Sequence, residues 1–215
     1  MHLTSWRQKM TTSLHSLRQP DVVSFDPAGF EDACADLMRQ VQADFRPDAL
    51  IAVPTGGLHV AEAMARSAGG RLPVLSMTCR RASTAAKSRL AGLKALAARL
   101  PRPVADRLRV WEHALLTQRA RPTPVAPYIF DPQELSRLRA WLSGVGGRVS
   151  LLIVDDAVDS GVTLHHVLEA VRGLAPSAAD IRSAVITVTT PEPLARPHYA
   201  LHQGQLCRFP WSLDA

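Results

Sequence analysis

The stretch from Val149 to Leu164 constrains the fold more than any other part of the chain. It reads VSLLIVDDAVDSGVTL and opens on the apolar run 151–154, which is too short for a helix and rich in β-branched residues. Such a run is typical of a strand buried on both faces of a parallel sheet. From Thr163 onward, apolar side chains recur at helical spacing. A strand, an acidic turn and a helix in this order place the turn at the carboxyl end of a parallel strand, where α/β proteins bind ligands.

The turn has the composition of an anion site next to a pair of carboxylates. Ser160 and Gly161 let the backbone curl, so that amide groups from Asp159 to Thr163 (the phosphate loop) point toward one spot. The positive end of the following helix is aimed at the same spot. Asp155 and Asp156 (the acid pair) suit a vicinal diol or a hydrated Mg²⁺. A phosphate cradle next to such a pair indicates a phosphorylated ribose as the ligand.

The same stretch resembles the signature of the type I phosphoribosyltransferases. That signature is four apolar residues, two acids, two variable residues and then D-[ST]-G-x-T, and every position is filled here. The resemblance implies an α/β fold, with a Rossmann-like parallel twisted sheet flanked by helices, and 5-phosphoribosyl 1-pyrophosphate (PRPP) as a substrate. It also implies that PRPP is bound along the motif, by Asp155, Asp156, Ala157, Val158, Asp159, Ser160, Gly161, Val162 and Thr163. The acid pair would in addition hold Mg²⁺ through water.

A second strand–turn–helix unit lies about a hundred residues before the acidic motif. Residues 49–53 are predicted to form a buried strand, and residues 58–68 a helix. Paired glycines between them allow a ligand to approach the backbone closely, although they also occur in ordinary tight turns. In the family that the motif resembles, a glycine-pair loop after the first core strand holds the pyrophosphate of PRPP. The resemblance therefore implies that Thr55, Gly56 and Gly57 (the glycine loop) bind PRPP.

A basic segment from Cys79 to Lys87 follows a third predicted strand over residues 72–78. In 6-oxopurine members of the family, a mobile loop here carries hydroxyl and basic side chains that close over PRPP and exclude water. The resemblance implies that Arg80 binds PRPP and that Arg81 and Lys87 have catalytic roles. A basic helix cap on the surface is the alternative interpretation.

Residues 90–125 exceed the usual family connection, and we expect an inserted subdomain of two amphipathic helices within a single domain, 1–215. Between residues 80 and 121 there are eleven Lys or Arg against two acids, a net charge of +9 in a chain whose total is +6. An anionic partner or substrate would explain this excess, and so would a solvated helical face.

The implied reaction transfers the 5-phosphoribosyl group from PRPP to a nitrogenous base and releases pyrophosphate, with Mg²⁺. Asp159 stands where purine-type members carry an aspartate that exchanges a proton with the base, which implies a catalytic role and a purine-like acceptor. The 6-oxopurine enzymes carry a base-reading lysine near the end of the next strand, whereas this chain has Thr189 and Thr190 there. The acceptor is therefore open between a 6-oxopurine and a different base.

The C-terminal segment, residues 190–215, is expected to form a small hood over the base. Its Phe-Pro-Trp ending resembles that of bacterial xanthine–guanine enzymes, where the neighbouring segment lines the base pocket. The resemblance implies that Leu206 and Trp211 bind the base together with Thr189 and Thr190. Trp211, close to the chain end, could equally plug the core.

Cysteine usage and hydropathy indicate a cytoplasmic protein that does not enter the membrane. The three cysteines are scattered without a C-x-x-C pair, as expected of reduced thiols. Residues 1–12 are polar and basic, unlike a signal peptide, and no apolar run approaches the length of a membrane span. A homodimer is expected, because dimers are common in the family.

An alternative function is a non-catalytic sensor of PRPP or nucleotides. Such a protein would bind nucleic acid or a protein partner through the basic region 80–121. No helix-turn-helix or other nucleic-acid-binding module is recognisable in the sequence. The basic segment after the third predicted strand favours the enzyme, because catalysis would need a loop at that place to close over PRPP.

Overall fold

The structure is a computed structural model and describes residues 22–81 and 128–212. Lys87 and the predicted inserted helices over 90–125 lie outside the described residues. In chain order the elements are β1 Val22–Ser24, α1 Pro27–Gln42, β2 Ala49–Ala52, α2 Gly56–Ser67, β3 Val74–Ser76, β4 Cys79–Arg81, β5 Tyr128–Phe130, α3 Pro132–Gly144, β6 Ser150–Val158, α4 Val162–Leu174, β7 Asp180–Val188, β8 Tyr199–Gln203 and β9 Leu206–Arg208.

Five strands form one parallel sheet in the order β3-β2-β6-β7-β8. Every residue of β2 is buried, and so is the apolar part of β6, as the sequence predicts for strands covered on both faces. Parallel neighbours need crossover connections: α2 joins β2 to β3 and α4 joins β6 to β7, whereas residues 189–198 join β7 to β8 without a helix. The predicted α/β fold with a Rossmann-like sheet is confirmed.

The helices cover the sheet on both faces and bury two apolar layers. On one face α1 and α2 contribute Phe30, Leu37, Val41, Val60 and Met64. On the other face α3 and α4 contribute Leu138, Leu142, Leu164, Val167 and Val171. Burying one such side chain stabilises the fold by roughly 1.5–3 kcal/mol, so the sheet is a rigid platform for the loops at its ends. Within the described ranges, none of the helices combines the length and the hydropathy that crossing a membrane requires.

Two helices begin at Asp-Pro pairs, in which the aspartate is the N-cap and the proline the first helical residue. Asp26 accepts a hydrogen bond from the Gly29 amide at 2.7 Å, and Asp131 accepts one from the Gln133 amide at 2.8 Å. The proline after each cap lacks the N–H that a first helical turn would leave unpaired. Each cap is worth about 1 kcal/mol.

Four strands differ from the sequence expectations. β6 continues through the acid pair to Val158, beyond the predicted apolar run. β8 completes the main sheet although its sequence, YALHQ, has no β-branched residue. β4 and β5 pair antiparallel, with Cys79 opposite Phe130, whereas a loop is predicted from Cys79 and no strand is predicted over 128–130. This pairing places Arg81 opposite Tyr128.

Candidate active site

Three loops meet at one edge of the sheet because β2, β6 and β7 are adjacent parallel strands. The glycine loop follows β2 and contains the cis peptide bond between Pro54 and Thr55. The phosphate loop follows β6, and Thr189 and Thr190 follow β7. Predicted site residues from three distant stretches of the sequence therefore come together where α/β folds bind ligands.

The glycine loop lies directly against the acid pair. A Cβ atom on Gly56 would stand 1.9 Å from Asp156 Oδ2, and one on Gly57 would stand 2.6 Å from the carbonyl oxygen of Val154. Only glycine fits at such distances. Both glycines belong to the first turn of α2, which begins two residues earlier than predicted. The positive end of α2 therefore adjoins the acid pair.

The acid pair is arranged by its own backbone. Asp155 Oδ1 accepts a hydrogen bond from the Asp156 amide at 2.9 Å, and Asp156 Oδ1 accepts one from the Ala157 amide at 2.9 Å. Burial, followed by the negative charge of Asp156, raises the pKa of Asp155 well above its usual range.

These carboxylates fit a divalent cation or ribose hydroxyls. A cation beside them would offset both the burial and the mutual repulsion. The described residues contain no cluster of three or more His, Cys, Asp or Glu that could hold a metal ion. A Mg²⁺ ion at the acid pair would therefore complete its shell with water and ligand oxygens, as Mg²⁺ commonly does.

The phosphate loop turns into α4 at Gly161. This residue has a φ of +73°, and a Cβ atom on it would stand 2.7 Å from the Ala195 amide nitrogen. Both facts require glycine. Val162 and Thr163 form the first turn of α4, whose amide groups and dipole face the loop. The geometry is that of an anion cradle, and phosphate binding there stays a prediction.

Asp159 is held by the two threonines that follow β7. Thr189 Oγ1 donates to Asp159 Oδ1 at 3.0 Å, and Thr190 Oγ1 donates to the same oxygen at 2.9 Å. The Thr189 amide also donates to the carbonyl oxygen of Val158 at 2.9 Å. The predicted acid/base residue and two predicted base-binding residues are thus in direct contact, which no sequence pattern predicts.

Two further predicted site residues lie in the C-terminal part. Leu206 belongs to β9 and is partly buried. The Trp211 ring stacks on Phe209, with 4.9 Å between centroids, and on His59, with 4.5 Å, while Phe30 meets it edge-on at 4.8 Å. These contacts fill the space between α1 and α2 and favour the core-plug alternative for Trp211.

Four more predicted site residues are Val158, Arg80, Arg81 and Lys87. Val158 is 2% exposed, so a PRPP contact there falls to its backbone. Arg80 is exposed on β4, a strand that contacts α4. Arg81 ends β4 opposite Tyr128, and Lys87 lies outside the described residues.

Sequence reasoning misses the loop between β7 and β8, residues 189–198 (the β7–β8 loop). The Leu194 amide donates to the carbonyl oxygen of Ser160 at 2.8 Å, and the backbone of Ala195 packs against Gly161. The loop therefore supports the phosphate loop from outside. Its sequence, TTPEPLARPH, carries no motif that predicts this contact.

Two of three comparisons with known proteins support this architecture. A model of the phosphoribosyl transferase domain matches residues 26–207. No curated protein sequence matches the chain. Among solved structures, a purine phosphoribosyltransferase from Pyrococcus horikoshii is 18% identical, with a TM-score of 0.54 over 89% of this chain and 94% of that one. The xanthine-guanine-hypoxanthine phosphoribosyltransferase of Helicobacter pylori is 16% identical, with a TM-score of 0.54 over 90% and 95%.

A third solved structure, a hypothetical protein from Neisseria gonorrhoeae with bound ppGpp, is 14% identical, with a TM-score of 0.54 over 91% of each chain. At these low identities the structural matches show the fold alone. The family model covers most of the chain, including the glycine loop, the acid pair and the phosphate loop. The chain therefore belongs to the phosphoribosyl transferase family, the PRPP-dependent pentosyltransferases.

Proposed function

We propose that this protein transfers the 5-phosphoribosyl group from PRPP to a purine-like base and releases pyrophosphate, with Mg²⁺ as the cofactor. The observation that carries the proposal is the contact between the glycine loop and the acid pair. Gly56 has no room for a side chain because Asp156 Oδ2 occupies that space. Two backbone anion sites, one on each side of paired carboxylates, match the two phosphate groups and the diol of PRPP.

The backbone would bind both phosphate groups of PRPP. Amides of the phosphate loop, with the hydroxyls of Ser160 and Thr163, would hold the 5′-phosphate at the positive end of α4. Amides of the glycine loop would hold the pyrophosphate at the positive end of α2. The acid pair would hold the ribose hydroxyls and, through water, Mg²⁺, which when bound neutralises charge on the departing pyrophosphate.

The chemical step needs positioning and charge stabilisation. The bond between C1 of the ribose and the pyrophosphate oxygen breaks as a ring nitrogen of the base bonds to C1. Asp159, oriented by Thr189 and Thr190, would take the proton that this nitrogen loses. Arg80, Arg81 and Lys87 are proposed to stabilise the departing pyrophosphate.

The class of the acceptor rests on Asp159 and on the solved structures. Two of these are a purine and a xanthine-guanine-hypoxanthine phosphoribosyltransferase, which supports a purine-like base. Thr189, Thr190 and Leu206 are proposed to border that base. Trp211 is proposed to support the hood by packing on Phe209.

The test is pyrophosphate release from PRPP and Mg²⁺ across a panel of purine, pyrimidine and nicotinate-type bases. Release with one purine is expected, and it should be lost in a variant carrying Asp155→Asn and Asp156→Asn. A panel that stays silent while PRPP still binds would contradict the transferase. Release that survives in the double variant would contradict the role of the acid pair.

The structure with bound ppGpp favours a second candidate, a sensor that binds a nucleotide and regulates a partner. The basic region 80–121 would then contact nucleic acid or a protein. Its signature would be salt-dependent binding of RNA or DNA that PRPP modulates. Failure to bind at low salt would remove this candidate.

A cytoplasmic homodimer is proposed as the working state. The three cysteines are free thiols, which supports a reducing compartment. Light scattering on the protein as it elutes from a size-exclusion column would test the dimer. The mass of a single chain at micromolar concentration would contradict it.

A further inference from the structure

A cavity of about 400 Å³ opens beside the β7–β8 loop. It lies between that loop, β8 and the end of α1, and its volume suits a small metabolite. It is lined by none of the glycine loop, the acid pair or the phosphate loop. Thr190 alone connects it with the residues of the proposed mechanism. The cavity is therefore a separate place for a ligand.

The polar side chains that line this cavity can each donate a hydrogen bond, and one of them carries a permanent positive charge. They are the guanidinium of Arg196, the imidazole of His198, the hydroxyl of Thr190 and the amides of Gln40 and Gln203. Among the described residues that line the cavity, none is acidic. A guanidinium has five N–H donors, and one contact, to the carbonyl oxygen of Pro191 at 2.5 Å, leaves others for a ligand. Such a lining selects an anion.

His198 lines the cavity, and its hydrogen bond with Ser183 fixes which ring nitrogen carries the proton. The Ser183 amide lies 3.1 Å from His198 Nδ1, and an amide N–H can only donate, so Nδ1 accepts and carries no proton. The proton of the neutral ring is therefore on Nε2, on the side of the ring away from Ser183. Burial, followed by the positive charges of Arg182 and Arg172, lowers the pKa of His198, while Asp180 opposes this. The neutral donor form is favoured.

The β7–β8 loop connects this cavity with the phosphate loop. Its outer residues, Arg196 and His198, line the cavity. Its inner side donates from the Leu194 amide to Ser160 and from the Thr190 hydroxyl to Asp159. Whatever holds the outer side also holds the inner contacts in place, because the ten residues 189–198 form one short loop.

We propose that this cavity binds a small anionic metabolite, a carboxylate or a phosphomonoester, and that the bound anion tightens PRPP binding. The anion would bridge Arg196 and His198 and hold the β7–β8 loop against the phosphate loop. Thermodynamic linkage then requires that PRPP increase the affinity for the anion by the same factor. This coupling rests on the proposed binding of PRPP at the phosphate loop, whereas the anion site itself does not.

The experiment is an NMR titration of the ¹⁵N-labelled full chain, saturated with PRPP and Mg²⁺ but without an acceptor base. Inorganic phosphate and succinate are the two probes, one for each anion class. Shifts are expected in amides of residues 190–204. Arg196→Gln should weaken the binding of the tighter-binding probe about tenfold, because it removes one charge-assisted contact. Arg39→Gln, an exposed arginine on α1 that pairs with Asp36, is the matched control and should leave probe affinity unchanged.

Three outcomes would overturn the inference. One is an equal affinity of both probes for the native chain and for Arg196→Gln. Another is competition between probe and PRPP, which would put the anion in the PRPP site. The third is a dissociation constant of PRPP that does not change when the probe is present at saturation, which would remove the coupling. If PRPP itself fails to bind, the proposed function fails, and the titration without PRPP still tests the anion site.

Discussion

The hydroxyl of Thr190 lies 2.9 Å from Asp159 Oδ1 and donates a hydrogen bond to it. Thr189 donates to the same oxygen from 3.0 Å, so two donors from the end of β7 fix the rotation of one carboxylate. Family members that read 6-oxopurines have a lysine near this place. In this chain the residues there act on the predicted acid/base group, without adding a positive charge of their own.

Asp159→Asn should abolish most of the turnover and leave PRPP binding nearly intact. An amide cannot take the proton from the base, and general base catalysis typically contributes 10²–10⁴-fold. The measurement is kcat with the best acceptor of the panel, together with the PRPP dissociation constant. Undiminished kcat would remove Asp159 from the mechanism, and a parallel loss of PRPP affinity would assign it to binding.

The double change Thr189→Val and Thr190→Val should lower kcat about thirtyfold, because two hydrogen bonds of about 1 kcal/mol each orient Asp159. The matched control is Thr189→Ser with Thr190→Ser, which keeps both hydroxyls and should restore most of the rate. A rise in the KM of the base without a change in kcat would assign the threonines to base binding alone.

Gly56→Ala should weaken PRPP binding at least tenfold, because the new Cβ would displace the Asp156 carboxylate. Gly173→Ala is the matched control, since Gly173 lies within α4 with open space around it. That change should stabilise the protein by about 0.5–1 kcal/mol, as alanine does in helices. Calorimetric titration with PRPP and Mg²⁺ measures the first effect, and native-like affinity in Gly56→Ala would contradict the arrangement.

How far the sequence predicts this protein depends on how local each feature is. The buried strand around Leu152 and the turn at Gly161 follow from neighbouring residues, and the structure confirms them. The helix starts at Asp26 and Asp131 likewise depend on local sequence. The support of Gly161 by Ala195 depends on a contact between residues more than thirty positions apart, which no local pattern contains.

The strands at the sheet edges are missed for a related reason. β8 has one exposed flank and a mixed sequence around Tyr199, so neither a buried run nor a clear alternation marks it. β4 and β5 are three residues each and exist as strands because they pair with one another. Pairing partners on either side of a long segment cannot be identified from periodicity.

Trp211→Leu should destabilise the fold and leave the KM of the base unchanged, because Trp211 packs on Phe209 and His59. The loss should stay below the roughly 3–5 kcal/mol of a fully buried tryptophan, since the indole is partly exposed. Urea unfolding measures the stability. A large rise in the KM of the base with unchanged stability would instead assign Trp211 to base stacking.

Stability should fall as the pH drops below about 6.5, the ordinary pKa of histidine, because the pKa of His198 is lowered in the folded protein. Between the two pKa values the unfolded chain binds more protons, so acid favours unfolding. Protonation of Nδ1 would also break its contact with the Ser183 amide. His198→Gln should flatten this part of the pH profile, measured by urea unfolding from pH 5 to 8. An unchanged profile would contradict the assignment.

Asp155→Asn should stabilise the unliganded protein while it removes the stabilisation that PRPP and Mg²⁺ provide. Burial and the charge of Asp156 disfavour the ionised form of Asp155, so the native carboxylate is held at a cost to stability. An amide of the same shape removes that cost, and Tm should rise by a few degrees.

Bound PRPP and Mg²⁺ should reverse this order, so that the native chain has a higher Tm than Asp155→Asn. PRPP with Mg²⁺ binds the folded state and should raise the Tm of the native chain, with an increase that grows with the logarithm of ligand concentration above the dissociation constant. The variant should lose that response because the ribose hydroxyls and the hydrated metal need the carboxylate. Thermal scans with and without PRPP, Mg²⁺ and a chelator measure both effects. A variant that is less stable without ligand, or that responds to PRPP like the native chain, would show that Asp155 serves the fold rather than the site.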